Sequence, residues 1–478
     1  MLKEGEPVTL DANSGCLYRG LVQLSGSFLN MRSIAGVVQK LRTRKEILSG
    51  VERLIQENIA GLEKETSIRK RTLSHADKKL LSGRKVLVRT DFNVPVINGK
   101  PVDPDRIEDS LKTLDYLLEA GATPVVCSHR GDPGAEEKHG RSREELYSDY
   151  TLSPAAELLE KLRPGKTFFH KGSVGSSGLL VSRADMVPGK INILENLRFA
   201  IGEKENDPGF ARNLAALSDD IYVNDAFGAC HRSHASITGA ARIMKTKMAG
   251  FLLEKEIHYL SGMVTAPAHP FIVFAGGAKL SSKFGSIEKM LQKADFMFAG
   301  GGVALTLLKA KGTSVGDSEA ETRLLELGSV LLKKYGGKII LPSDFMVTNM
   351  FSRANGTCGP LSVQTLPLPE KSFAVDIGPE SIKTAMQLLD KAETVFWNGP
   401  MGINEIPACA TGTKKLCLAM AEKAREGKIV IAGGAATVEE IKKTGAGREF
   451  THLSIGSTSC PEYIERLALP GISVLDPE

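Results

Sequence analysis

The sequence predicts an α/β protein made of two doubly wound parallel-sheet domains tied together by a helix. Two observations carry that prediction. Short apolar runs alternate with helical stretches in two successive series, and a charged helical stretch at 251–260 separates the series. At 478 residues the chain also exceeds what one ordinary hydrophobic core accommodates.

The first series places strands at 84–89, 123–127, 191–194 and 221–223, with a helix around 107–120. The second places them at 271–274, 296–298, 338–341, 394–396 and 429–431. These runs are mainly apolar rather than alternating, as strands covered by helices on both faces are. In such sheets ligands bind beyond the carboxyl ends of the strands, so the loops there are the first place to look for chemistry. Ahead of both series, residues 1–75 form a segment outside the pattern. Its first twenty residues read as a hairpin around a turn at 11–15, and 31–66 read as charged, amphipathic helices.

Composition narrows the function. Hydrophobic residues at 42% and charged residues at 24% are those of a soluble globular chain. A net charge of +5 without a concentrated basic patch points to anionic small molecules rather than nucleic acid. No apolar run approaches the ~18 residues a membrane span needs. The seven cysteines contain no CxxC pair and read as free thiols of a reducing compartment. The opening Lys3-Glu4-Gly5-Glu6 is unlike a secretory signal, so a cytoplasmic location is expected.

The strand-end loops of the first series gather cations and amides. Asp91 and Asn93 follow the first strand, Arg106 enters the next helix, and His129 with Arg130 follow the second strand. Arg198 and Arg232 follow later ones. Arginine offers a planar fork to carboxylate or phosphate oxygens, so this set suits a phosphorylated, anionic substrate. The second series carries glycine-rich turns instead. Gly277, Ala278, Lys279 and Lys283 lie in one, Gly302 in the next, Asn398 and Pro400 in a third with Glu405 beyond, and Gly433 and Gly434 open a late helix. A helix opening of that kind holds phosphate on its N–H groups. Neither GxxxxGK[ST] nor GxGxxG is present, so the cradle is of another kind.

In order and spacing, DFNVP (91–95), SHRGDP (128–133), ENLRF (195–199), HRSHAS (231–236), GGAKLSSK (276–283), DIGPES (376–381) and NGPMG (398–402) resemble the phosphoglycerate kinase family over residues 80–475. The resemblance implies two Rossmann-like domains joined by a helix and hinge. Residues 76–250 would bind 3-phosphoglycerate, 251–450 would bind Mg-ATP or Mg-ADP, and 451–478 would return to the first domain. It implies a monomer transferring phosphoryl between 1,3-bisphosphoglycerate and ADP in glycolysis and gluconeogenesis. Asp91, Asn93, Arg106, His129, Arg130, Arg198 and Arg232 would hold phosphoglycerate. Gly277, Ala278, Lys279, Lys283, Gly302, Asn398, Pro400, Glu405, Gly433 and Gly434 would hold nucleotide. Arg106 and Lys283 would stabilise the moving phosphoryl group.

Three positions depart from the family. Asp132 stands where SHLGRP has its arginine, Ala435 replaces the carboxylate that helps hold magnesium, and the late glycine-rich turn reads Gly456-Ser457-Thr458-Ser459-Cys460. No protein ligand to Mg²⁺ is therefore expected. These departures also motivate a second reading, a non-catalytic relative that binds nucleotide or phosphoglycerate as a sensor or interaction protein.

Overall fold

The computed structural model describes residues 8–11, 16–19 and 69–478, position 138 excepted. The expected helices at 31–66 lie outside the described residues. The chain divides into two compact units, Met1–Ser67 and Ile68–Glu478. In the first, strands Val8–Asp11 and Cys16–Arg19 pair antiparallel.

The second unit contains two six-stranded parallel sheets. One runs in the order Thr246–Ala249, Ile221–Asn224, Lys85–Arg89, Thr123–Cys127, Ile191–Leu194, Thr167–His170. The other runs Ile339–Ile340, Phe296–Ala299, Phe271–Ala275, Thr394–Asn398, Ile429–Gly433, His452–Leu453. The mainly apolar sequences of their inner strands follow from burial on both faces. Leu87, Val125 and Tyr222 pack on one side of the first sheet, while Val86, Val88, Val126 and Val223 pack on the other with Leu114 and Leu159. The second sheet divides the same way, with Val273, Met297 and Phe396 on one face and Phe274, Val395 and Trp397 on the other.

The linking helix Phe251–Thr265 buries Leu253, Ile257, Leu260 and Val264 at helical spacing, and these join one hydrophobic cluster with residues of both sheets. Each such side chain contributes roughly 1.5–3 kcal/mol by leaving water. Its first turn is held by Asp225, whose Oδ1 accepts from the N–H groups of Leu252 (2.9 Å) and Leu253 (3.2 Å). Burial raises the Asp225 carboxyl to about 6. Near the end of the chain, Tyr463, Ile464, Leu469 and Ile472 enter that same cluster. Gly471 N–H then donates to Cys230 O (2.9 Å), and Arg71 N–H to Asp476 O (2.8 Å).

The structure departs from the sequence reading in several places. Three strands of the two large sheets were not expected, Thr167–His170 and Thr246–Ala249 at the edges of the first and His452–Leu453 at an edge of the second. The helix expected at 107–120 is two, Asp105–Asp109 and Leu111–Glu119, because Ser110 Oγ folds back onto Ile107 O (2.6 Å). The strand expected at 338–341 shortens to Ile339–Ile340. Between the sheet strands of the second half lies an unpredicted antiparallel sheet, Ser362–Thr365, Asp344–Thr348 and Phe373–Ile377, with a hairpin of Phe351–Ser352 and Thr357–Cys358 beside it.

Candidate functional site

The carboxyl ends of the first sheet bring most of the predicted cations together. Asp91 is buried, and its Oδ2 takes a hydrogen bond from Arg106 Nη1 at 3.2 Å. Arg106 Nη2 donates to Ile455 O (2.9 Å), which anchors the guanidinium against the turn that follows the last strand of the other sheet. Asn93 is exposed, and its Oδ1 accepts from Gly131 N–H (2.9 Å). Arg198 Nη1 donates to Gly131 O (2.6 Å), while its buried Nε has no partner among the described residues. Burial pulls Arg198 down to about 10, still charged at neutral pH. Arg232 lies exposed beside this group, close enough to act on His231 and His234.

The histidines here are neutral at pH 7. Burial, with Arg89 and Arg198 nearby, holds His129 well below its usual range. Burial and the same arginines lower His234 to about 3; burial and Arg232 lower His231 to about 4. Ser459 Oγ donates to Gly228 O (3.0 Å) and so accepts the Nδ1 proton of His231 (2.7 Å). The positive charge of this side therefore comes from arginine.

Arg130 stands apart. Its guanidinium lies over the Tyr150 ring and donates to the carbonyls of Asp149 and Thr151 (the latter 3.1 Å). The structure thus turns Arg130 away from the cluster where a substrate-holding role would need it. Asp132 neither faces the cluster bare nor swings out to solvent: its Oδ2 pairs with Lys204 Nζ at 2.6 Å.

Sequence reasoning missed Arg89 and Glu203. Arg89 is buried beneath the cluster, with Nε donating to Ser236 Oγ (2.8 Å) and Nη2 sharing a hydrogen bond with His129 Nδ1 (2.9 Å). Glu203 accepts from Ser236 N–H (2.9 Å) and Oγ (2.6 Å), and its burial raises its pKa. A cation ending a strand otherwise buried on both faces was the available signal.

On the second sheet, three strand-end loops abut backbone to backbone. Gly276 N–H donates to Asn398 O (3.0 Å), Gly277 N–H to Pro400 O (2.7 Å) and Gly301 N–H to Met401 O (2.9 Å). A Cβ on Gly302 would lie 2.1 Å from Ala278 O, and one on Gly399 2.1 Å from Gly276 O. These glycines are needed for loop-to-loop packing, and several of their N–H groups are already committed to carbonyls rather than free for phosphate. The loops surround a cavity of about 300 Å³ lined by Ala278, Lys283, Gly302, Phe345, Asp376, Asn398 and Glu405, among others. Gly434, at φ +90°, opens the helix Ala435–Lys443 onto it.

The two lysines of GGAKLSSK part company. No helix runs from 279 to 283, so Lys279 is exposed while Lys283 turns inward. Lys283 Nζ donates to Gly276 O (2.7 Å) and Asn398 O (3.0 Å), and burial lowers its pKa to about 8. Glu405 pairs with Arg353 (3.1 Å) at the cavity rim. Asp376, another residue missed as a lining group, accepts from Gly412 N–H (2.7 Å) and Ile377 N–H (2.9 Å), and burial raises it to about 7.

Among the described residues no group of three or more His, Cys, Asp or Glu could hold a metal ion. With Ala435 at the helix opening and both Asp376 oxygens taken by backbone, this lining does not form a carboxylate cage for a divalent cation.

An arginine cluster at the strand ends of one six-stranded parallel sheet and a glycine-loop cavity at the strand ends of the other define the class: an α/β protein with two doubly wound sheets, each carrying a candidate site. Comparison with known proteins makes this particular. A profile of the phosphoglycerate kinase family matches residues 76–466. The chloroplastic phosphoglycerate kinase of Volvox carteri is 39% identical over 415 residues, covering 85% of this chain and 86% of that protein. A cytosolic phosphoglycerate kinase of Arabidopsis thaliana is 38% identical, covering 85% and 98%. The solved phosphoglycerate kinase of Coxiella burnetii superposes with a TM-score of 0.72 at 31% identity, covering 85% of this chain and 98% of that one. The chain belongs to the phosphoglycerate kinase family.

Proposed function

We propose that this protein is a working phosphoglycerate kinase, moving the acyl phosphate of 1,3-bisphosphoglycerate to Mg-ADP to give 3-phosphoglycerate and Mg-ATP, and the reverse. The bond from phosphorus to the substrate's carboxyl oxygen breaks as one to the terminal phosphate oxygen of ADP forms, and a carboxylate leaves. Such a transfer needs positioning and positive charge rather than a covalent nucleophile. The observation that carries the reading is the pairing of Arg106, anchored across to Ile455 O, with Lys283, buried among glycine loops. In this reading Asp91, Asn93, His129, Arg198 and Arg232 hold phosphoglycerate, and Arg106 and Lys283 meet the transferring phosphoryl from opposite sides. The cavity behind Lys283 takes the nucleotide, with Glu405 on the ribose and the open helix end at Gly434 on phosphate.

Magnesium enters as part of the nucleotide substrate, carried by its phosphates and water. The linking helix serves as the hinge whose closure excludes water from the acyl phosphate. A monomer in the cytoplasm is the matching assembly and place. No helix among the described residues is long and apolar enough to cross a membrane.

The second reading, a non-catalytic relative, is favoured by Asp132, Ala435 and the Ser457–Cys460 stretch. Coupled measurement of ATP formation from 1,3-bisphosphoglycerate and Mg-ADP separates the two. Turnover supports the kinase, and its absence with ADP still bound supports the binding protein.

A further inference from the structure

Asp132 sits on the loop whose Gly131 carbonyl is held by Arg198, so a carboxylate has entered the anion side. Its two oxygens differ. Oδ2 is 2.6 Å from Lys204 Nζ, while among the described residues neither the buried Oδ1 nor the buried Nε of Arg198 has a hydrogen-bond partner. Lys204 belongs to the short helix Ile201–Glu205 that follows the Arg198 turn directly. Its charge is felt at His234, within the cluster, alongside those of Arg198, Arg89 and Arg232. A solvated surface pair would sit away from other charged groups; this one, 43% and 37% exposed, adjoins unpartnered donors and acceptors of the site.

We infer that Lys204 is a substrate-binding residue: the Asp132–Lys204 pair presents the lysine ammonium to the phosphate of phosphoglycerate, supplying the cation that position 132 lacks now that Arg130 is turned onto Tyr150. Asp132 acts as the positioning residue. It is kept ionised, although burial opposes this, by the hydrogen bond from Lys204 and the charges of Lys204 and Arg198. Lysine presents a mobile point charge, so it follows the phosphate through domain closure where a fixed fork would not. The inference rests on the kinase reading above.

The test is calorimetric binding of 3-phosphoglycerate to the full chain, with steady-state KM values for 3-phosphoglycerate and ATP, in Lys204→Gln, Lys204→Arg, Asp132→Asn and the Asp132→Asn/Lys204→Gln pair. Lys204 is exposed, so these variants keep the thermal unfolding midpoint of the parent. The expected result is an affinity for 3-phosphoglycerate about tenfold weaker in Lys204→Gln, with KM for ATP unchanged and Lys204→Arg restoring most of the loss. Asp132→Asn alone weakens binding by less, because Lys204 keeps its charge but loses its support, and part of the Lys204→Gln loss persists in that background. Unchanged affinity in Lys204→Gln overturns the inference, as does a loss that disappears once Asp132 is neutral, since Lys204 would then only be shielding a carboxylate. A parent chain that itself binds no 3-phosphoglycerate overturns the kinase reading, and the inference with it.

Discussion

At Lys283 burial and function pull in opposite directions. Two backbone carbonyls hold its ammonium, yet desolvation lowers its pKa to about 8. The folded state therefore releases this proton before the unfolded chain does. Between pH 8 and the ordinary lysine range the unfolded state binds more protons, so the Lys283 contribution makes stability rise with pH there. On the role proposed for Lys283 activity does the reverse, because an uncharged amine would no longer stabilise a transferring phosphoryl. We expect an alkaline limb in kcat/KM near pH 8 that moves upward in kcat, where bound phosphates favour the charged form. Lys283→Arg displaces the limb beyond pH 10, and Lys283→Ala lowers kcat by about 10²–10³. Ser457 is a second residue-scale case. Its φ of +47° lies in the left-handed region, where a non-glycine residue costs roughly 1–2 kcal/mol. Ser457→Gly should raise the thermal unfolding midpoint, and a lowered midpoint would show that the serine side chain is needed there.

The loops after the second sheet act as one element because their backbones touch. Gly399→Ala puts a methyl 2.1 Å from Gly276 O and 2.3 Å from Lys283 Nζ, so it disturbs both the packing and the charge. Titration with ADP should show binding weakened at least tenfold, while 3-phosphoglycerate binding on the other sheet is retained. At the neighbouring helix opening, Ala435→Asp adds a carboxylate at the cavity lining. It should lower the magnesium concentration needed for half-maximal rate. At this scale the limits of sequence reasoning are also plain. The edge strands Thr167–His170, Thr246–Ala249 and His452–Leu453 carry polar residues and were missed, whereas the inner strands and their end loops were legible because a buried parallel strand is a local, mainly apolar run and its motif follows at once. The sheet of Ser362–Thr365, Asp344–Thr348 and Phe373–Ile377 was not, because its strands are partly exposed and pair across long gaps. Arg89 was legible only as a cation at the end of a strand, and the Lys204 contact joins residues 72 positions apart that no periodicity connects.

Across the whole molecule, one hydrophobic cluster runs from the first sheet through the linking helix into the second, and the end of the chain packs into it. Both lobes are therefore coupled to the same helix, and the direct ties between their facing sides are few and polar. Arg106 reaches Ile455 O, and Lys442 reaches Asp103 and Asp105, each at 2.7 Å. The first is a hydrogen bond to a carbonyl, and partly exposed ion pairs like those of Lys442 are worth at most about 1 kcal/mol. Lys442→Ala should thus leave the unfolding midpoint nearly unchanged while altering kcat more than either KM, if these ties favour the closed form. The central claim is that the site transfers phosphoryl despite Asp132 and Ala435, and the rate of ATP formation from 1,3-bisphosphoglycerate and Mg-ADP tests it most directly. The account predicts clear turnover in the unaltered chain, abolished by Arg106→Ala and further raised by Ala435→Asp. No turnover in the unaltered chain, with ADP and 3-phosphoglycerate both bound, would contradict it and leave a protein that holds its ligands without reacting them.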